Sequence, residues 1–597
     1  MNNINNVYSM NLYERAVEEQ HIGWTKNENG TVKIINRPMR IDFNDDKFSI
    51  CTVPHGYISD YLPYSRLNLN AQNPWFIDAQ TGSGKTQFIF KILYPNIHKA
   101  GKRMLVLVSR SALKTKVKYD AIDAAKTDQR QTLQPYGIEC EHHFGDIDVF
   151  SYQDITPDKS SEGHKHILER LFSLYGVVVF DECHYFTSDA VFNTTTAYTL
   201  EYLINLSYLH KVPRIYMTST PDVVFSDILE VDREKFTKAY CGFNCLGYYH
   251  YKIPYYMNLF HCERDYSYIT LSTFKDDDEH ITLLQKISES NGKKWIIFVD
   301  SKEKGIRLQM RLKQTNTKTA FLCSENLHDL TQKKDDRLKE IISKLTDSET
   351  MDCDVLIATK CLDVGITIKD ENINIVSYLH DKVDFLQSLG RKRVKKNETV
   401  NLLIPEYTLK DVNMWLSQTS NKYSLYREAF KKYPAGESAN VSSIEAPIYI
   451  KDGKYQHNYL AMTQLNSQMR ELSALLERAK TAENNNENVT NVISAYFASW
   501  MDKCHTMLVT DTADEEKQTI LGIIQKYMIT SIDDTKFDEL SAELKPFDKR
   551  KDKRTERQAM CLRTINNIIA ETGYKLENNS KKSDNKSYRI IPIEGEQ

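Results

Sequence analysis

Between residues 71 and 225 brief apolar runs alternate with longer stretches of helical spacing. The runs are Trp75–Ile77, Met104–Val108, Asp148–Phe150, Val177–Phe180 and Arg214–Met217, each bounded by polar residues or glycine. Short, fully apolar segments of this kind read as strands buried on both faces, and the lengths between them admit crossover helices. A second series follows at Trp295–Val299, Thr319–Leu322, Val355–Ala358, Ile373–Tyr378 and Val400–Ile404. The expected fold is therefore α/β, with two tandem doubly wound parallel-sheet domains over residues 71–228 and 291–408.

The flanks differ. Residues 1–70 read as an accessory segment, with short strands at Thr31–Ile35 and Phe48–Val53 around a turn at Asn44–Asp46. Residues 229–290 join the two blocks and are rich in tyrosine. Beyond 408 the alternation stops, and residues 409–540 read as a helical accessory domain. Within it, 458–480 and 489–507 carry apolar positions at helical spacing, as at Leu465, Met469, Leu472 and Leu476. Residues 541–597 begin with a basic run. A helix at Gln558–Thr572 and a hairpin ending in SYRIIPI then suggest a winged-helix-like end.

Composition narrows the class. At 597 residues the chain exceeds one compact core. The formal net charge of -3 means that any polyanion must be held by a local basic surface. The eleven cysteines are scattered without a C-x-x-C pair, which suits free thiols in a reducing cytoplasm. The first residues lack the basic-then-apolar pattern of a secretory leader. No run approaches the ~18–20 apolar residues that span a bilayer.

Two motifs carry chemistry. Ala79-Gln80-Thr81-Gly82-Ser83-Gly84-Lys85-Thr86 follows a predicted strand and precedes a predicted helix. It departs from the general Walker A pattern only in having Ala79 where glycine is usual. Glycines let backbone N–H groups turn around phosphates, and the helix N-terminus adds a positive field. Lys85 is expected on the β- and γ-phosphates and Thr86 on magnesium. Further on, Val177–Phe180 runs into Asp181-Glu182-Cys183-His184. Paired carboxylates at a strand end suit a hard cation, with Asp181 holding magnesium and Glu182 as general base. A zinc site on Cys183 and His184 is a poorer reading, because neighbours on a strand face opposite ways.

Taken together, A-Q-T-G-S-G-K-T and D-E-C-H resemble superfamily 2 helicases of the DExH type, and further blocks of that family recur in order over about residues 71–405. Ser109–Leu113 looks like motif Ia, which implies a strand contact for Arg110. Ser151-Tyr152-Gln153 is similar to the T-Y-Q element, implying contacts from Ser151 and Gln153. Thr218-Ser219-Thr220-Pro221 matches motif III, which couples hydrolysis to movement, and Ile297–Lys302 resembles motif IV, with Ser301 toward nucleic acid. Ala358–Ile366 matches motif V. The match puts Thr359 on nucleic acid and Asp363 and Gly365 toward the nucleotide. Gln387–Arg393 resembles motif VI, with Gln387, Arg391 and Arg393 as catalytic candidates. The usual second arginine position is Val394, and the arginine comes one residue early, at Arg393, a spacing similar to that of the Dicer and RNA-sensing antiviral ATPase branch. Which arginine meets the γ-phosphate stays open, and no DEAD-box Q motif is recognisable. The resemblance implies tandem RecA-like domains, ATP and Mg2+ in the cleft between them, nucleic acid across both and a lean to 3′→5′ polarity; contacts to phosphates do not tell DNA from RNA, and DNA is the expected partner ahead of RNA.

Three weaker constellations remain. Cys241, Cys245, His250, His261 and Cys262 match no usual zinc spacing. The basic run Lys549–Arg557 reads either as a solvated helix face or as an auxiliary nucleic-acid contact. Tyr248, Tyr249, Tyr251, Tyr255 and Tyr256 could stack on bases, although packing is the commoner use. Three functions are therefore weighed: a strand-separating helicase, a translocase or nucleic-acid-stimulated ATPase working in a larger replication or defence complex, and a catalytically dead binding module. Intact Lys85, Asp181, Glu182 and Arg391 argue against the last. The C-terminal region is the expected site of any protein partner.

Overall fold

A computed structural model describes residues 23–26, 32–36, 47–109, 111–126, 142–157, 162–240, 242–243, 249–251, 255–277, 279–290, 292–315, 317–323, 336–360, 367–395, 397–441, 443–507, 512–528, 532–545, 562–572, 574–578 and 587–592. The chain divides into two compact units, Met1–Met507 and Leu508–Gln597.

The larger unit holds two sheets. Strands β1 (Gly23–Lys26), β2 (Val32–Asn36), β3 (Lys47–Val53), β4 (Trp75–Asp78), β5 (Arg103–Val108), β6 (His143–Phe144), β7 (Ile147–Ser151), β8 (Tyr175–Phe180) and β9 (Arg214–Thr218) enter the first. After a small ribbon, β10 (Gly242–Phe243) with β11 (Tyr249–Tyr251), strand β12 (Tyr256–Cys262) completes it. The order is β1-β2-β3-β12-β4-β9-β8-β5-β7-β6. From β3 to β7 every pairing is parallel, while the edges are antiparallel. The second sheet comprises β13 (Ile269–Phe274), β14 (Lys294–Phe298), β15 (Thr319–Leu322), β16 (Val355–Ala358), β17 (Ile373–Ser377), β18 (Val400–Pro405) and, after the β19 (Ile448–Lys451)/β20 (Lys454–His457) hairpin, β21 (His505–Thr506). Its order is β15-β16-β14-β17-β18-β13-β21, all parallel. These are the tandem RecA-like domains, or lobes. The interior strands are buried at every position of Trp75–Asp78, Arg103–Val108 and Val355–Ala358, as sheets covered by helices on both faces require.

Three segments depart from their expected place. The stretch 229–290 is not a free connector, because β12 inserts into the first sheet and β13 into the second. The "accessory" strand β3 pairs with β12, so it extends the first sheet rather than standing apart. The helix expected over 489–507 ends at Ala498, and His505–Thr506 pairs with β13 instead. Gly453 and Asp452 turn the β19/β20 hairpin with φ +70° and +52°.

One helix, Tyr459–Asn484, touches both lobes. Leu460 and Ala461 lie in the first-lobe core, and Leu472, Leu475 and Leu476 in the second. Its 26 residues span about 39 Å at 1.5 Å per residue. Polar contacts fix it to each lobe: Gln464 Nε2 donates to Ser188 O at 2.9 Å and Gln468 Nε2 to Asp381 Oδ2 at 2.9 Å.

The smaller unit builds its own core, including Ile524, Leu540, Ile565 and Ile590, from the helices Thr512–Met528, Asp534–Leu544 and Leu562–Ile569 and the antiparallel hairpin β22 (Tyr574–Asn578)/β23 (Tyr588–Pro592). Three helices and a hairpin share one core, so the helix and hairpin expected at the end belong to a unit that begins at Leu508. The basic run Lys549–Arg557 lies outside the described residues. No described helix is long and apolar enough to cross a membrane.

Candidate active site

Strands β4, β9 and β8 are neighbours, and their C-terminal ends deliver three loops to one place. Past β4, Ala79 N donates to Thr218 O at 3.0 Å, tying the phosphate-type loop to the end of β9. Gly82 and Gly84 have φ of +96° and +80°, where a side chain is strained. A Cβ on Gly84 would also sit 2.9 Å from Tyr57 Cδ1. Lys85 opens the following helix and is buried; its Nζ reaches Ala79 O at 3.2 Å and Glu182 Oε1 at 3.3 Å.

After β8 the chain turns sharply. Asp181 N donates to Leu107 O at 2.9 Å, and Tyr152 OH to Asp181 O at 2.8 Å. Glu182 takes a left-handed φ of +48°, a local strain of the kind held at functional sites. The turn buries Cys183 and sends His184 back toward Glu182. His184 Nδ1 lies 3.3 Å from Glu182 Oε2 and 3.1 Å from Thr218 Oγ1. Burial, reinforced by the adjacent Glu182 charge, pushes the Asp181 carboxyl up to about 7. Burial acts on Glu182 in the same sense, but Lys85 and His184 outweigh it and hold that carboxyl below its usual range.

The second lobe closes over this cluster. Asp381 caps helix Lys382–Leu389, accepting from Val383 N at 3.0 Å and Asp384 N at 3.1 Å. The helix carries Gln387 across the seam, where its Nε2 lies 3.4 Å from Glu182 Oε2 and 3.3 Å from Ser219 Oγ. Arg391 Nη2 donates to Gln387 Oε1 at 3.0 Å. Arg393 is largely buried, and burial together with Arg391 pulls its guanidinium below the usual value. Its Nη1 stands 2.6 Å from where a Cβ on Gly82 would be, and a Cβ on Gly390 would meet Thr81 Cβ at 2.7 Å. Lys382 also forms an ion pair with Asp222 across the seam. The lobes enclose a cavity of about 570 Å³ lined by both, including Thr81, Lys85, Thr86, Asp181, Glu182, Gln387, Arg391 and Arg393.

Comparison with known proteins finds a match in each lobe. Residues 40–223 match the family model described as "Type III restriction enzyme, res subunit", and residues 279–393 match the helicase conserved C-terminal domain. The chain belongs to the superfamily 2 helicases. This helicase is also similar to solved structures of Dbp5 from S. cerevisiae. Dbp5 bound to RNA and ADP BeF3 is 14% identical over 56% of this chain and 79% of that one, with a TM-score of 0.38. A variant of Dbp5 bound to the same ligands is 15% identical over the same shares, at 0.37. No curated protein matches the chain. The helicase is an ATP hydrolase that uses ATP with Mg2+ and acts on nucleic acid.

The residues present fit that group. The buried Asp181 carboxyl, raised by burial and by its neighbour Glu182, adjoins the Lys85 ammonium and two glycines with no Cβ to fill the loop. Ser83 Oγ in the same loop is buried with no hydrogen-bond partner among the described residues. Of the residues singled out from sequence, Thr81, Gly82, Gly84, Lys85, Thr86, Asp181, Glu182, Gln387, Arg391 and Arg393 meet at one cavity. Thr218, Ser219 and Thr220 form the bridge behind it: Thr220 N donates to Thr218 Oγ1 at 3.1 Å. Ser151 and Ser301 lie at strand-to-helix corners, and each cap uses its own hydroxyl. Gln153 is exposed and Thr359 half-buried. Arg110, Asp363 and Gly365 lie outside the described residues, as do Cys241, Cys245 and Tyr248 and the side chains of Tyr249, His250 and Tyr251.

Other expectations resolve into packing. Tyr255 is buried in the first-lobe core against Phe236, with ring centroids 5.3 Å apart. His261 pairs with Asp78 at 2.6 Å, and Cys262 Sγ donates to Pro54 O at 3.4 Å. Among the described residues no cluster could hold a metal through His, Cys, Asp and Glu, and the cysteines described as unpaired include Cys183 and Cys353. Sequence reasoning missed Tyr57, whose exposed ring lies over the phosphate-type loop, with Ile58 N held by Ser83 O at 3.1 Å. It also gave no role to Glu349, Thr367 and Lys369, which line the cavity from the second lobe.

Proposed function

We propose that this helicase grips a single strand, DNA in preference to RNA, and moves along it by closing and opening the seam between its lobes. The carrying observation is that Gln387 and Arg393 of one lobe, with Arg391 bonded to Gln387, stand against Glu182, Ser219 and Gly82 of the other. Only the closed arrangement joins the two sets of charges.

Mg-ATP, when bound, would supply a cation and the phosphoanhydride that water cleaves with ADP leaving. Lys85 would then exchange Glu182 for phosphate oxygen, and Thr86 and Asp181 would hold the cation. Freed from Lys85, Glu182 takes the proton of the attacking water, while His184 holds its other oxygen. Gln387 orients that water from across the seam. Arg393, already against Gly82, meets the developing phosphate charge, and Arg391 keeps Gln387 in place. Thr218 and Ser219 touch His184 and Gln387, so they carry the state of the cleft to the strand. Tyr57 offers a ring face beside the loop for the base of the nucleotide. The motif matches put Arg110, Gln153, Ser301 and Thr359 on the strand backbone and Asp363 and Gly365 toward the nucleotide, while buried Ser151, its hydroxyl held in the cap, sets Gln153 in place.

The test is ATPase activity with single-stranded DNA, duplex DNA and RNA side by side, alongside strand displacement. The expected result is stimulation, strongest by single-stranded DNA, with displacement that requires ATP. Equal stimulation by RNA overturns the DNA preference, and absence of stimulation by every strand overturns the proposed grip.

A further inference from the structure

The loop after the acidic turn presents a ring that the core does not use. Phe192 is 67% exposed, yet its loop is fastened at three carbonyls. Asn458 Nδ2 donates to Ala190 O at 3.2 Å and to Asn193 O at 2.9 Å, and Tyr426 OH to Val191 O at 3.4 Å. Asn193 Nδ2 in turn donates to Tyr185 OH at 2.6 Å. The ring is therefore held outward on a rigid support, which is how a contact surface is pre-organised.

Two ammonium groups converge on it from other parts of the fold. Lys360 Nζ, just past β16 and next to Thr359, lies 4.1 Å from the ring centroid. Lys422 Nζ, from helix Leu409–Lys432, lies at 4.9 Å. Among the described residues Lys422 forms no ion pair, and Lys360 has only Asp384 at 3.7 Å. Two cations sharing one ring repel each other. Burial, together with the charge of Lys360, pulls the Lys422 ammonium below its usual value. An anion placed between them would relieve that crowding. A flat exposed π face with two under-neutralised cations suits a nucleotide unit of a single strand, which offers one base and one phosphate.

We propose that Phe192, Lys360 and Lys422 form a strand-binding subsite. A base stacks on Phe192, and the neighbouring phosphate draws the two ammonium groups off the ring. The subsite rests on the helicase reading. It would join strand to nucleotide directly, because Asp189 at the start of the same loop lines the nucleotide cavity.

Binding of fluorescein-labelled DNA and RNA oligonucleotides to the full chain tests it, by anisotropy across a salt series. A single abasic position is moved along each strand. Phe192→Ala is expected to weaken binding about tenfold and Phe192→Trp to preserve it. In the wild type one abasic position should reproduce the tenfold loss, and Phe192→Ala should lose nothing more at that position. Lys422→Gln should lower the slope of log affinity against log salt by about one. Unchanged affinity in Phe192→Ala, or losses that add at every abasic position, overturns the subsite and identifies the lysines as clamps between lobes. If the wild type is stimulated by a strand while Phe192→Ala binds normally, only this inference falls. If no strand binds the wild type, the proposed grip falls with it.

Discussion

Gly390→Ala separates closure of the seam from folding of the lobes. Gly390 ends helix Lys382–Leu389 at φ −64° and ψ −10°, which alanine adopts without strain, and helical residues favour alanine over glycine by roughly 0.5–1 kcal/mol. Within its own lobe the substitution is therefore harmless. Across the seam the new Cβ would run into Thr81 Cγ2 and lie 2.7 Å from Thr81 Cβ and 3.1 Å from Thr81 Oγ1. Carbon atoms in contact prefer about 3.5–4.0 Å, so the lobes must part by roughly 1 Å. Overpacking by one methyl costs about 1–3 kcal/mol, or roughly 5–150-fold in the population of the closed arrangement. Strand-stimulated kcat should fall about tenfold or more, while the thermal midpoint stays level or rises slightly. Thr81→Ala in the same chain removes two of the clashing atoms and should recover part of the rate. Wild-type turnover in Gly390→Ala, measured by coupled ATPase at saturating nucleotide and strand, would refute the claim that this closed seam is the reactive one.

Glu182→Gln keeps the shape of the site but removes the proton acceptor, so ATP should bind and persist while turnover falls at least ~10²-fold; rapid hydrolysis in a single-turnover assay would contradict that role. Arg393→Ala should lower kcat by at least ~10² with nucleotide binding retained, and by more than Arg391→Ala, because Arg393 Nη1 stands on the phosphate-type loop at Gly82 while Arg391 donates to Gln387; the reverse order in steady-state kinetics would exchange the two roles. Asp148 is fully buried against Arg103, His143 and Tyr175. Burial raises its carboxyl pKa, but His143 and Arg103 outweigh that and hold it below the ordinary 3.8. A depressed carboxyl stabilises the fold above its unfolded value and loses that contribution as pH falls through the folded one. The thermal midpoint should therefore drop as pH falls below about 4, and melting curves of Asp148→Asn should show a flatter acid limb from a lower starting midpoint.

The phosphate-type loop, the acidic box and motif VI were legible because their chemistry admits few substitutes. A loop wrapped around phosphates needs Gly82 and Gly84, and a cation site needs carboxyls such as Asp181. The strands were legible because burial on both faces leaves runs like Met104–Val108 with no polar break. Pairing was not legible. Nothing in Tyr256–Cys262 says that it enters the first sheet while Ile269–Phe274 enters the second, since both are short half-apolar runs whose partners lie far away in the chain. Tyr57 is one of three tyrosines between Gly56 and Ser65, and the close approach of its loop to Gly84 is what gives it a place. The spacing of Arg391 and Arg393 left two candidates for one task, and the side chains separate them: one is turned back to Gln387, the other laid on Gly82.

The long helix Tyr459–Asn484 gives the machine a spine. Since one rod is rooted in both halves, they cannot drift apart like beads on a string. A rod held at both ends favours gaping on the side away from it, as a bound book opens. Each turnover thereby becomes a swing of fixed direction rather than a loosening, and a single break in that rod, such as a proline at Thr463, should leave a molecule that still burns its fuel but travels poorly.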